Sequence, residues 1–205
     1  MEVGQTRRVM LVIVGALLAM AMGAHEVNAQ AGTPTVANAT PTADECTVAP
    51  RSEQELRALF REAAATPIPD SLLASPAPAF SPMGVPADEE TVAAVAATWR
   101  QYLACLTAGN QARMFAVLSD DMVRRQFLVD IAFGITEDAL FTYLAATPVP
   151  LPSDQAVSFL PFEEARVLDD GRVAVVGPGD QGRGDVRIFI KEGDRWLLDE
   201  WFDLS

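Results

Sequence analysis

Histidine is almost missing from this chain, which holds one, His25. That residue falls in a stretch read below as a leader, so the mature protein is expected to carry no imidazole. Ser-His-Asp triads, Cys-His pairs and His-ligated metals are then excluded together, and neither metal nor cofactor is expected. Lysine is as scarce, with Lys191 alone in its class. Lys+Arg total 15 against 28 Asp+Glu, a formal net charge of -13. A surplus of that sign repels phosphate backbones and anionic lipid headgroups, which argues against nucleic acid as a partner. Long apolar runs are also missing beyond the first stretch, so no stable membrane span is expected in the mature chain.

What is present at the start is a three-part pattern. Met1 to Arg8 is short, polar and carries Arg7 and Arg8. Val9 to Ala24 is uncharged and mostly apolar, and Val27-Asn28-Ala29 follows with a small residue at its end. This is the layout of a secretory signal peptide over residues 1–29, cut after Ala29. The apolar run is shorter than the roughly 20 residues that cross a bilayer, and an uncleaved anchor is the alternative. No cysteine stands directly after the run, which argues against a lipid anchor. The expected location is outside the cytoplasm, extracellular or in the cell envelope. In such a compartment an even cysteine count reads as a disulfide, here Cys46 with Cys105. Two unrelated buried thiols are the other reading.

Composition divides the rest. Residues 30–45 are rich in Ala, Thr and Pro, too poor in apolar surface to offset ordering entropy, and read as a disordered tether. Residues 46–86 read as one helix followed by a Pro-rich strap. Ser52-Glu53-Gln54-Glu55 is a capping box opening that helix, with Leu56, Leu59 and Phe60 as its apolar stripe. Residues 87–205 read as the main domain. Asp88 to Ala108 is a long helix by its apolar spacing, ended by Gly109. Asn110, Ser119 and Thr136 cap three shorter helical segments. The period then changes to two. Val157–Leu168, Arg172–Val176, Asp185–Lys191 and Arg195–Leu204 read as strands of an antiparallel meander, with Asp169-Asp170-Gly171 and Glu192-Gly193-Asp194 as tight turns. Helices followed by strands give an α+β fold.

The segment YLACLTAGNQARMFAVLSDDMVRRQF, Tyr102 to Phe127, and the hairpin VRIFIKEGDRWLLDEWF, Val186 to Phe202, together resemble the nuclear transport factor 2-like superfamily. That superfamily includes SnoaL-like cyclases and ketosteroid isomerases. The resemblance covers Ala87 to Ser205 and rests on a pattern of elements. It implies a curved sheet wrapped around the N-terminal helices in a cone, enclosing an apolar pocket. Many members are enzymes; others bind ligands or only dimerise. Catalytic members of the isomerase type use a pocket Asp with Tyr and protonated Asp donors. No residue here matches a fixed catalytic motif.

The candidate pocket residues are Trp99, Tyr102, Leu103, Phe127, Leu140, Tyr143, Leu144 and Trp201. Asp199 is the candidate catalytic carboxylate: it is expected to share a strand face with Leu197 and Trp201, where burial would raise its pKa. Against that role stands a structural ion pair. A three-residue turn sets Arg187 opposite Asp199, and a two-residue turn sets it opposite Glu200. Asp120 and Asp121 follow Ser119 at a helix start, where capping outweighs metal binding. Gly177, Gly179, Gly182 and Gly184 lie between strands with no following helix, so they form a hairpin loop rather than a phosphate cradle. The expected function is an exported non-catalytic module that binds a small apolar ligand or self-associates through its sheet. A SnoaL-like or isomerase-type enzyme using pocket carboxylates is the alternative.

Overall fold

The computed structural model describes residues 40–68, 84–152, 155, 157–178 and 184–203. The leader, most of the tether and most of the strap lie outside the described residues. Each helix starts at the cap its sequence provides. Helix α1 is Glu53–Ala64; the Ser52 hydroxyl accepts from the Glu55 amide at 3.2 Å, and the Glu55 carboxylate accepts from the Ser52 amide at 3.0 Å. Leu56, Leu59, Phe60 and Ala63 form its buried stripe. Helix α2, Glu89–Thr107, is capped by Asp88 and stops at Gly109, whose φ of 65° disfavours a side chain. A Cβ there would also meet the Val149 carbonyl oxygen at 2.2 Å. Helix α3, Gln111–Met114, runs into a 3-10 turn at Phe115–Val117. Helix α4 is Asp120–Ala132, capped by Ser119, and α5 is Glu137–Leu144, capped by Thr136.

The fold is α+β. Strands β1 (Val85–Pro86), β2 (Glu164–Val167), β3 (Val173–Pro178), β4 (Gly184–Glu192) and β5 (Arg195–Asp203) form an open five-stranded sheet in chain order. Every pairing is antiparallel. The strand expected over Val157–Leu168 is formed only over its last part. Phe159 and Phe162 both pack toward the main core, and residues an odd number apart cannot do that from a pleated strand. Strand β1 was not expected. It ends in a proline, which an edge position tolerates because one side of the strand needs no N–H donor.

One face of the sheet turns Val173, Val175, Phe189 and Leu198 toward the helices, joining Trp99, Leu103, Phe115 and Phe127 in one core. The other carries a smaller cluster of Ala174, Val186 and Ile188. Val186 and Ile188 thus share a face as period two requires, and Ile190 on the same strand is half-buried. Beyond β5, Leu118 makes a parallel bridge to Leu198, and the Ser119 amide donates to the Leu198 carbonyl at 2.9 Å. Cys46 and Cys105 form a disulfide with Cα atoms 4.7 Å apart, tying the segment before α1 to the middle of the core. No helix among the described residues is long and apolar enough to cross a membrane.

The β4–β5 hairpin corrects the expected register. Its two-residue turn sets Glu192 opposite Arg195 and Ile190 opposite Leu197. A bulge then shifts the register between Ile188 and Phe189, so Phe189 faces Leu198 while Ile188 faces Glu200. Asp199 is the extra residue, and Arg187 lies opposite Trp201 rather than either acid. The bulge also resets alternation. Leu198 and Trp201 are an odd number of residues apart, yet both turn toward the helices. Asp199 and Trp201 therefore do not share the face that simple alternation assigns them.

Candidate functional site: an aromatic cluster over a buried Asp–Arg pair

Asp199 is buried and fully engaged. The Ser119 hydroxyl donates to its Oδ1 at 2.6 Å, and Arg172 Nη1 donates to its Oδ2 at 3.0 Å. Arg172 also holds Glu200 at 2.6 Å and Asp170 at 2.7 Å. Ser119 is at once the cap of α4, accepting from the Met122 amide at 3.0 Å. The bulged carboxylate therefore locks the start of α4 to the β2–β3 turn. The structural ion pair foreseen for Asp199 is formed, but its partner is Arg172 rather than Arg187.

Arg187 pairs instead with Asp185, two residues earlier on the same face of β4. Both are buried, at 5% and 2% exposure. The Arg187 guanidinium lies 4.0 Å from the centroid of Trp99 and 5.7 Å from that of Trp201. Trp99 stacks on Tyr102 at 5.0 Å, and Trp201 meets both rings edge-on at 5.4 and 6.2 Å. The Trp201 indole N–H donates to Asp185 Oδ2 at 3.2 Å, while the residue as a whole remains 40% exposed. Helix α2 supplies Trp99 and Tyr102 one turn apart in reach; β4 and β5 supply the rest across the register that the bulge sets.

The electrostatics of this cluster are unusual. Burial pushes the Asp185 carboxyl above its ordinary value, against the opposing pull of Arg187. Burial likewise pushes the Tyr102 phenol up to about 12, with Arg187 again opposing. Asp185 Oδ1 is buried without a hydrogen-bond partner. A buried acceptor left unmatched costs on the order of 1–3 kcal/mol, so it is a place where a donor would be welcome. Gly177 on β3 lets the backbone come close: a Cβ there would sit 2.9 Å from Arg187 Nη1 and 3.6 Å from Asp185 Oδ1.

Three of the residues named from sequence, Trp99, Tyr102 and Trp201, thus meet in one place. Leu103, Phe127 and Leu140 are packed in the core at 1%, 0% and 5% exposure. Leu144 packs partly buried against that core, and Tyr143 is exposed. Asp199 stands apart, on a separate cleft shared with Arg125 and Arg172. Asp185 was not among the residues named from sequence. The signal for it was present: if Val186, Ile188 and Ile190 take one face of β4, Asp185, Arg187 and Phe189 must take the other. Among the described residues no group of three or more His, Cys, Asp or Glu side chains is arranged to hold a metal ion. No family model, no curated protein and no solved structure matches the chain.

Proposed function

We propose that the chain is an exported, non-catalytic binding module of the nuclear transport factor 2-like type, with its ligand at the Trp99–Tyr102–Trp201 cluster. The observation that carries this reading is the unmatched Asp185 oxygen beside three aromatic rings, one of them part-exposed. Binding sites combine mostly apolar walls with a few fixed polar groups, and this cluster has that make-up. The complementary ligand is a small, flat, largely apolar molecule carrying one O–H or N–H donor. Its ring would lie against Trp201 and its donor would reach Asp185. The disulfide is compatible with an oxidising compartment and so with export.

Trp196, Trp99 and Trp201 are the tryptophans of the chain, so binding should be visible in intrinsic fluorescence. Titration with a panel of phenols and indoles is expected to give saturable quenching. Trp201→Ala should weaken it by tenfold or more, and Trp196→Phe should not. Quenching that survives unchanged in Trp201→Ala would reject the site.

One observation favours the enzyme reading: the upward shift of a buried carboxyl bonded to an indole N–H of the cluster is a feature of acid–base sites. On that reading Asp185, not Asp199, is the proton-transferring group. A substrate screen would then find turnover that Asp185→Asn lacks by ~10²-fold or more and Asp199→Asn largely keeps.

A further inference from the structure

A second site lies away from the aromatic cluster and does not depend on it. The C-terminal end of α1, one side of α4, and the Arg172 and Asp199–Glu200 positions enclose a cleft of about 340 Å³. Ala63 and Leu128 supply an apolar wall, and Arg124, Arg125 and Arg172 supply charge. Two of these guanidinium groups are already matched. Arg124 holds Glu62 at 2.8 Å and also Asp121, and Arg172 holds Asp170, Asp199 and Glu200.

Arg125 is different. Its Nη2 donates to the backbone carbonyl of Asp199, the residue that the bulge displaces from regular pairing. Among the described residues it forms no ion pair, and its buried Nε–H has no acceptor. Three acids border the same cleft, but Asp121 is held by Arg124, and Asp199 and Glu200 are held by Arg172, so in a chain where acids outnumber bases 28 to 15 Arg125 is the cleft arginine left without an ion pair among the described residues. Arg113 and Arg195 also bond backbone carbonyls, of Cys46 and Ala116, but neither borders this cleft. A guanidinium carries five donors in a planar fork suited to a carboxylate, and Arg125 uses one of them. The volume suits a molecule of several carbons, and the apolar wall beside the fork suits its chain.

We infer that this cleft binds a small aliphatic carboxylate, its headgroup on Arg125 and its tail along Leu128 and Ala63. Sodium hexanoate is the probe, read by NMR at the methyl groups of Leu128 in the whole mature chain. Saturable movement of those signals is expected with hexanoate, and at least tenfold weaker movement with 1-hexanol, which has the tail without the charge. Arg125→Gln should weaken hexanoate binding by tenfold or more, and Arg113→Gln should leave it unchanged. Because Arg125 also supports the bulge, Thr66→Trp is the second variant: it adds bulk to the lining of the cleft and removes none of its guanidinium groups. It too should weaken binding by tenfold or more. Equal response to hexanoate and hexanol, or undiminished binding in a folded Arg125→Gln or in Thr66→Trp, would overturn the inference.

Discussion

Asp199 and Asp185 are both buried acids on the hairpin, yet their surroundings give them opposite characters. Asp199 ties the cap of α4 to Arg172, so its charge serves the fold. Asp199→Asn keeps the shape and removes the charge, and should cost about 1–3 kcal/mol in urea denaturation. Ser119→Ala should cost a similar amount, since it removes a cap and the same bond. The double variant should fall short of the sum by ~0.5 kcal/mol or more, because the two changes delete one shared interaction. Strict additivity would mean that this bond contributes nothing. Asp185 is held protonated more readily in the folded chain than in the unfolded one, chiefly by burial. The folded state then binds more protons near that value, so this residue's contribution to stability falls as pH rises through it. The stability of the native chain minus that of Asp185→Asn should therefore decline as pH climbs above the ordinary 3.8. A flat difference across that range would show that Arg187 offsets the burial completely.

Among the elements, the disulfide is the tie with the largest expected effect. It closes a separation of 59 residues, which in the chain-entropy treatment stabilises by about 4 kcal/mol. Cys46→Ser with Cys105→Ser should lower stability by roughly that amount, and by less if the unfolded chain stays compact. The segment it pins has other ties, since Glu45 meets Arg100 at 2.6 Å and Gln101 Nε2 donates to the Glu45 carbonyl at 2.7 Å. An unchanged denaturation midpoint would mean that these contacts alone hold it. The helices were legible in the sequence because Ser52, Asp88, Asn110, Ser119 and Thr136 are local signals, each acting within one turn of chain. The pairing of β2 with β3 and of β4 with β5 was legible for the same reason, through alternation and tight turns. The bulge at Asp199 was not. It follows from the docking of Leu118 and Ser119 against Leu198, a contact about 80 residues away in the chain, and no local pattern encodes it. Its consequences were equally hidden: the Arg187–Trp201 register and the Asp199 carbonyl that Arg125 reaches. The short extent of β2 was missed because alternation of apolar residues over Val157–Phe162 was read as a pleat, whereas Phe159 and Phe162 plug the core from irregular chain.

At the scale of the whole molecule, the charge balance and the leader bear on the same question. The proposed leader contains Glu2, Arg7, Arg8 and Glu26, so its removal would leave the net charge at the full chain's -13. The basic start and the acidic body are thus separate features, the first suited to targeting and the second to solubility. Export, as proposed, would also give the cysteine pair a reason to be oxidised, since reducing compartments keep such thiols apart. The two proposals meet in a single measurement on secreted material. Intact-mass determination should find a chain that begins at Gln30 and is lighter by two hydrogens than its fully reduced form, from the Cys46–Cys105 bond. Treatment with a reductant should restore that difference. A membrane-retained product of full length would favour the uncleaved anchor, and the binding sites would then be presented from a surface rather than released. A cleaved chain with both thiols free would instead separate export from oxidation. It would leave the 4.7 Å approach of the two Cα atoms to be held by the packing of Cys46 and Cys105 in the core.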